Sequence, residues 1–322
     1  MSKKKLSLVV TFYNEEESVD EFIKDTVPVL ENLKDLDYEI IFVNDRSTDN
    51  SLKRLTEQRK TNNKIKIINL SRRFGPMESI MAGVKFAEGD ALINIDIDLQ
   101  DPPSLIPEMV KFWKDDNYDV VYTTRTNRQG ESAIKKIISS IGYKLLRMFT
   151  YIPMEKDSGD FKLISRRVIN EYKKFKEIYP FFRFVVDWIG FKKKQIFYER
   201  QPRRKGKTKH PLGLNVIFNF FEISLIPFTD APMRFALLFG LISFIITTII
   251  LLRTLFLYFT GAGDISSTSI FVAILFFGSV QSLILGLLSI YISSIFKETK
   301  NRPLYIIDNT IGFDDGNSDK SL

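Results

Sequence analysis

Short apolar runs rich in β-branched residues recur through the first 125 positions: Leu6–Tyr13, Tyr38–Asp45, Lys64–Ser71, Ala91–Asp98 and Asp119–Arg125. Between them, apolar residues fall at helical spacing. Glu15–Leu36 carries Val19, Phe22, Ile23, Val29, Leu30 and Leu33 in one stripe, and Thr48–Arg59, Glu78–Ala87 and Pro103–Lys114 behave alike. Strand and helix alternating at this interval predict βαβ units, hence an α/β fold whose mostly parallel sheet is covered on both faces. Ligands of such sheets sit beyond the carboxyl ends of the strands. The run ends here are polar: Asn14 and Glu15, Asn44-Asp45, Ser71-Arg72, and Asp96 and Asp98.

The pattern changes after residue 130. Glu131–Ile152 places Ile134, Ile137, Ile138, Ile141, Leu145, Phe149 and Ile152 on one stripe, with Lys135, Lys136, Lys144 and Arg147 elsewhere around the helix. A basic amphipathic helix of this kind suits a membrane interface, and covering a core would suit it as well. Pro211–Thr229, rich in aromatics, is a second interfacial candidate. Phe235–Leu252 and Thr268–Phe296 then contain no Asp, Glu, Lys or Arg, and both reach the ~18 apolar residues that a membrane span needs. The connector Thr260–Ser267 lacks Lys and Arg, whereas Arg200–Lys209 precedes the first run and Lys297, Lys300 and Arg302 follow the second. The positive-inside rule therefore predicts a multi-pass membrane protein with both large ends in the cytoplasm. The expected organisation is a cytoplasmic catalytic domain over 1–210, an interfacial helix and linker over 211–231, two transmembrane helices over 232–296, and a cytoplasmic tail over 297–322. The end of that tail, Asp314–Leu322, reads as disordered. The N-terminal Lys3-Lys4-Lys5 followed by Leu6–Tyr13 reads as a strand and not a signal peptide, because the apolar run is short and meets Asn14-Glu15-Glu16-Glu17.

Composition narrows the chemistry. With 44% hydrophobic residues in 322 and a net charge of +7, most of the chain is not disordered. Zero cysteines exclude disulfides, thiolate-held zinc, iron–sulfur clusters and thiol nucleophiles. A single histidine, His210, argues against a His-rich metal site and a Ser-His-Asp triad. Carboxylates, basic side chains, hydroxyls and a hard metal ion remain.

The sharpest local signal is Asn94-Ile95-Asp96-Ile97-Asp98-Leu99-Gln100-Asp101-Pro102-Pro103. Strand alternation would set Asn94, Asp96 and Asp98 on one face and Ile93, Ile95 and Ile97 on the other. Two carboxylates at one strand end repel each other unless a cation lies between them, and Mg²⁺ or Mn²⁺ with a phosphate ligand is the usual occupant. Asp157 and Asp160 flank Ser158-Gly159, a tight-turn sequence able to aim a carboxylate into a cleft. Arg200, Arg203, Arg204, Lys205, Lys207 and Lys209 form a basic cluster just before the first span. Such a cluster can be a solvated face or bind nucleic acid or anionic lipid headgroups.

Taken in order, Val9-Val10-Thr11-Phe12-Tyr13-Asn14-Glu15-Glu16, Val43-Asn44-Asp45-Arg46-Ser47-Thr48-Asp49 and Asp96-Ile97-Asp98-Leu99-Gln100-Asp101-Pro102 resemble glycosyltransferase family 2. The resemblance continues through Asp157-Ser158-Gly159-Asp160-Phe161-Lys162-Leu163 and Pro202–His210 and covers nearly the whole chain. With two C-terminal spans it resembles the polyprenyl-phosphate branch, the bactoprenol glucosyltransferase group and relatives of dolichyl-phosphate mannose synthase. The resemblance implies a GT-A nucleotide-sugar-binding domain, with Phe12, Tyr13, Glu15, Asp45 and Arg72 for the nucleotide. It implies Asp96 near the ribose or metal, Asp98 as metal ligand, and Mg²⁺ or Mn²⁺ as cofactor. Asp160, with Asp157 beside it, stands where relatives carry the catalytic base. Arg200, Arg203 and Lys209 would grip the lipid phosphate, and His210 would pack or hydrogen-bond.

The implied reaction moves one sugar, glucose ahead of N-acetylglucosamine, from a UDP-sugar to undecaprenyl phosphate with inversion. The acceptor's second pKa near ~6 leaves it largely ionised, so Asp160 is expected to orient the acceptor or take a residual proton. Relatives form homotetramers through their membrane regions; Gly278, Ser279 and Gly286 would permit close helix approach. Membrane lipids are the expected surroundings and nucleic acid is not an expected partner. Two departures stand out: Arg73 and Pro76 replace the usual Asn and Lys, Gln or His, and Lys207 replaces the usual Glu. A processive polysaccharide synthase fits less well, having more spans and a Gln-x-x-Arg-Trp motif absent here. A non-catalytic lipid-phosphate binding or translocating protein is the other alternative, against which Asp96, Asp98 and Asp160 argue.

Overall fold

The computed structural model describes residues 3–126, 158–175, 182–200, 231–260 and 267–313. The proposed interfacial helices at 131–152 and 211–229 lie outside these residues, as do Asp157, Arg203, Lys209, His210 and Asp314–Leu322. The described residues divide into a sheet unit, up to Arg200 and again from Arg302, and a helical unit between them.

The sheet unit runs β1 (Lys4–Phe12), α1 (Val19–Glu31), β2 (Leu36–Asn44), α2 (Ser51–Thr61), β3 (Ile65–Leu70), α3 (Pro76–Phe86) and β4 (Ala91–Asp96). A 3₁₀ turn at Pro103–Leu105 leads into α4 (Ile106–Lys114) and β5 (Val120–Arg125). Then come β6 (Ser158–Ser165), α5 (Arg166–Tyr172), α6 (Phe182–Ile189) and β7 (Lys193–Tyr198), and the unit is completed by β8 (Ile307–Ile311). The eight strands lie in the order β7-β5-β6-β4-β1-β2-β3-β8. β1 pairs in parallel with β2 and β4, β2 with β3, and β5 with β7. β6 is antiparallel to both β4 and β5, and β8 to β3.

All five expected strands form, within two residues of their expected limits. β1 is buried on both faces because helices cover both: Leu6, Leu8, Val10 and Phe12 pack with Phe22, Leu30, Leu55 and Met109, while Val9, between the buried Ser7 and Thr11, packs with Ile41, Val43, Ile80 and Val84. Gly83 lets α3 lie directly on the sheet, since a Cβ there would collide with Val9 and press on Val43. The helix expected over Glu15–Leu36 is shorter. The chain must reverse to begin β2 at Leu36, and Asn32 closes α1 by bonding its N–H to Pro28 O at 3.1 Å. Leu33 is therefore apolar for packing from a loop, not for extending a helix.

Two further corrections bear on function. β4 ends at Asp96 and Leu99 has φ +56°, so Asp98 sits in a turn and strand alternation does not place it. The segment read as a tail returns instead to the sheet as β8, with Tyr305 buried and Phe313 edge-on to Phe86 at 5.1 Å.

The helical unit contains α7 (Ala231–Thr260) and α8 (Ser267–Thr299). Met233–Thr254 and Ala273–Thr299 have mean hydropathy 2.7 and 2.1. Twenty-two residues at ~1.5 Å each make about 33 Å, enough for a ~30 Å hydrocarbon layer. They are not core helices: Leu237, Phe259 and Leu283 are 75%, 81% and 76% exposed. Hydroxyls inside them bond their own backbone, Thr247 to Ser243 O, Ser279 to Leu275 O and Ser289 to Leu285 O. That leaves little that needs water, as an apolar surrounding demands.

Candidate active site

The carboxyl ends of β1 and β2 carry two loops braced against each other. Asn14, at φ +52°, donates its N–H to Ser47 Oγ (3.0 Å) and accepts the Thr48 N–H on Oδ1 (2.7 Å). Glu15 is buried and its N–H bonds Ser51 Oγ at 2.8 Å, while Ser18 Oγ donates to its carboxylate at 3.2 Å. Tyr13 is half-buried at the mouth, with the Arg73 guanidinium 4.1 Å from its ring centre. Phe12, expected beside it, instead points into the core, edge-on to Phe42 at 6.4 Å. Alternation decides this: Phe12 shares the face of Leu8 and Val10, which α1 covers.

Asp45 is buried and ties a third loop to the first two. Its carboxylate accepts the N–H groups of Phe74 (2.7 Å) and Gly75 (3.1 Å). Burial raises its pKa, opposed by those two bonds and by Arg73 and Arg72. Gly75 can present its N–H because φ is +131°, where a side chain would be strained. Arg72 lies over the Phe74 ring at 3.9 Å. The 71–75 loop thus brings two cations to the end of the sheet, one of them the departure Arg73.

Carboxylates gather next to these loops. Desolvation first, then Asp98, Asp101 and Asp160, push Asp96 up to about 7, with Arg200 opposing. Asp96 keeps an open side toward solvent, so a cation could reach it and relieve that crowding. Asp98 Oδ1 accepts the Gln100 N–H at 3.1 Å, which closes the turn. Asp101 is buried, accepts the Tyr198 hydroxyl, and has Arg125 Nη2 at 3.7 Å and Arg200 Nε at 3.8 Å. Arg200 Nε is buried with no hydrogen-bond partner among the described residues. Arg200, expected among the basic residues that grip a lipid phosphate, stands beside this carboxylate cluster.

Asp160 comes from β6. The antiparallel register that pairs Asn94 with Lys162, continued by two residues, sets Asp160 opposite Asp96. Arg183 on α6 grips Asp160 with both arms, Nε to Oδ1 at 3.4 Å and Nη2 to Oδ2 at 3.1 Å. Desolvation would raise the Asp160 pKa, but Arg183, Lys162 and Arg125 outweigh it and hold the group below the usual carboxylate range. Lys162, fully buried on the same face, is lowered to about 8 by desolvation against the pull of Asp187 and Asp160. Sequence reasoning missed Arg183, Arg125 and Tyr198 as site residues. Nothing local marks them, since each is defined by a carboxylate that lies 23 to 97 positions away.

The donors fit a hard divalent ion, being carboxylate oxygens crowded enough to favour a cation between them. Among the described residues no three Asp, Glu or His side chains gather closely enough to hold an ion by themselves. Asp98 and Asp96 could supply one or two ligands, leaving the others to a diphosphate and water.

Residues 7–173, just over half of the chain, match the family model "Glycosyl transferase family 2". The chain belongs to glycosyl transferase family 2. Among its relatives, the "Uncharacterized glycosyltransferase YkcC" of Bacillus subtilis strain 168 is 39% identical over 312 residues, covering 96% of this chain and 94% of its own. The "Uncharacterized glycosyltransferase sll0501" of Synechocystis is 37% identical over 313 residues, 96% of each chain. The "Bactoprenol glucosyl transferase" of Shigella phage SfV is 33% identical over 309 residues, covering 95% and 98%. The strand-end loops and the carboxylate cluster therefore belong to a glycosyltransferase of the GT-A fold.

Proposed function

We propose that this glycosyltransferase moves a single glucose from UDP-glucose to undecaprenyl phosphate at the cytoplasmic face of a membrane, inverting the anomeric centre. The observation that carries the reading is the extent of similarity to the phage bactoprenol glucosyl transferase: 95% of this chain, so the two long apolar helices are included with the sheet unit. A water-soluble donor and a lipid acceptor must meet at an interface, which gives a catalytic domain a reason to carry spans.

Tyr13, Glu15 and Asp45 would flank the nucleotide, with Arg72 and Arg73 supplying positive charge toward its diphosphate. Asp98 and Asp96 would hold Mg²⁺ or Mn²⁺, which when bound stabilises the departing diphosphate as a Lewis acid. The acceptor phosphate oxygen bonds to the anomeric carbon as the bond from that carbon to UDP oxygen breaks. An α-linked donor then gives a β-linked lipid product.

The acceptor is largely ionised at neutral pH and has little proton to give, and Arg183 holds Asp160 below the usual carboxylate range, which makes it a weak base. Asp160 accordingly acts as a positioning group and not as the main proton acceptor, with Asp157 beside it in sequence. Two anions so placed need cations between them, and Arg200, whose Nε lies 3.8 Å from Asp101 Oδ1, is one such cation beside the carboxylates. Arg203 and Lys209 complete the grip, Arg as a bidentate fork and Lys as a mobile point charge. Among the described residues no atom lies within 4 Å of a Cβ added at Gly278 or Gly286 on α8, leaving room there for further copies in a homotetramer.

The test is transfer of labelled sugar from a panel of UDP-sugars to undecaprenyl phosphate by purified protein, with Mg²⁺ or Mn²⁺ and with EDTA. A solvent-extractable, chelator-sensitive lipid-sugar made from UDP-glucose is the expected result. Product from UDP-N-acetylglucosamine alone would replace the sugar, and no product from any donor by folded, lipid-binding protein would overturn the reaction.

A further inference from the structure

Three asparagines line up across the sheet. β2 pairs Asn44 with Asn69 of β3, and β3 pairs Asn69 with Asn309 of β8. Their amides bond in one direction: Asn69 Nδ2 donates to Asn309 Oδ1 (2.6 Å), Asn44 Nδ2 donates to Asn69 Oδ1 (3.0 Å), and the Ser47 N–H donates to Asn44 Oδ1 (2.9 Å). Asn44 and Asn69 are 2% and 3% exposed. A carboxamide has donors on one side and an acceptor on the other, so each amide's orientation is set by the next. Reversing Asn69 would turn its NH₂ toward that of Asn44 and leave buried donors facing each other.

The relay ends in the turn that carries Asp45. Ser47 also accepts the Asn14 N–H, and Asp45 accepts the N–H groups of Phe74 and Gly75. The C-terminal segment touches the third loop too, through the Ser71 N–H on Ile306 O at 2.9 Å. Arg46, at φ +59° within the turn, pairs with Asp308 at 3.0 Å. Both are about half exposed, so that pair adds little. The family match stops at residue 173, so these contacts come from a part of the chain that the match does not describe.

We propose that β8 is a positioning element of the donor site: Asn309, acting through Asn69 and Asn44, sets the turn around Asp45 in its nucleotide-receiving form. The proposal rests on the reading of this site as the nucleotide pocket. The strand that follows α8 thereby finishes a site whose other parts precede residue 100. Asn309 itself is exposed on an edge strand, which makes it open to substitution without emptying the core.

Asn309→Leu removes the acceptor, while Asn309→Asp keeps an oxygen where Asn69 Nδ2 donates. Both are compared with the wild type as full-length protein in detergent, with Mg²⁺, for UDP and GDP affinity, donor and acceptor KM, kcat, melting temperature and hydrogen exchange at Ser47. One neutral hydrogen bond corresponds to roughly threefold to tenfold. Asn309→Leu should weaken UDP binding and raise donor KM by that factor, speed Ser47 exchange, and leave acceptor KM within about twofold. Asn309→Asp should restore all of these. Unchanged UDP affinity in Asn309→Leu, an equal rise in acceptor KM, or an Asn309→Asp variant as weak as Asn309→Leu would overturn the proposal. A wild type that binds GDP and not UDP overturns the uridine reading alone, and the variants are then judged by the same ratios with GDP. A wild type that binds neither overturns the coupling to a donor, and unchanged Ser47 exchange would remove the relay as well.

Discussion

Glu39 offers a quantitative test of how the sheet unit is held together, away from the proposed chemistry. It lies 2% exposed near the amino end of β2, where Ser7 Oγ donates to it at 2.6 Å and the Glu88 N–H at 3.0 Å. Lys66 and Lys5 approach its other oxygen at 2.8 and 2.9 Å. Burial alone would raise its pKa, yet Lys66, Ser7, Glu88 and Lys5 together lower it from 4.5 to about 2. A depressed carboxylate stabilises the fold above its unfolded pKa, and that stability is lost as pH falls through the folded value. A shift of ~2.5 units at ~1.4 kcal/mol each is about 3 kcal/mol, fully present above pH ~5 and more than half gone by pH ~3.

Glu39→Gln should therefore lose about 3 kcal/mol at pH 7, and the gap to wild type should shrink to less than half of that near pH ~3. The protein's two tryptophans, Trp113 on α4 and Trp188 on α6, both belong to the sheet unit. Their fluorescence during urea unfolding in detergent reports that unit, with midpoints taken at several pH values. Because strands β1 to β3 begin at this end, and the donor loops lie at the other, kcat of the folded variant should match wild type. A gap equal at pH 7 and pH 3, or none at either, would refute the charge-pair account.

The remaining predictions concern the site and its support. Asp98→Ala should lose metal-dependent transfer at every pH while keeping its fold, and wild-type activity and Mn²⁺ affinity in that variant would remove Asp98 from the metal site. Asp160→Asn should lower activity by a constant factor from pH 6 to 8.5; recovery toward wild type as pH rises above the acceptor's second pKa would mark Asp160 as the proton acceptor. Arg183→Met takes away the largest charge opposing desolvation of Asp160, so its activity relative to wild type should fall as pH falls, and a flat ratio would separate Arg183 from Asp160. Gly83→Ala forces a methyl against Val9 and should destabilise the sheet unit by about 1–3 kcal/mol in the same urea assay.

Much of this protein is written in local pattern. Alternating apolar runs and helical stripes specify βαβ units because a strand or a helix must bury its own periodic face wherever it lies. The two apolar helices follow from composition, and the carboxylates Asp96, Asp98 and Asp160 from motif order along the chain. Other features depended on which segments become neighbours. β6 inserts antiparallel between β4 and β5 and so brings Asp160 opposite Asp96; Arg183 then reaches Asp160 from a helix 23 residues later. Phe12 and Tyr13 adjoin in sequence, but only the sheet's covered face decides that one is core and the other rim. Asp98 looks like a strand residue until Leu99 turns the chain. Asn309 reads as part of the C-terminal tail, yet it meets Asn69 across 240 positions. Periodicity is a property of each segment and survives in the sequence, whereas pairing and charge balance are set by burial among distant segments and exist only once the chain has closed upon itself.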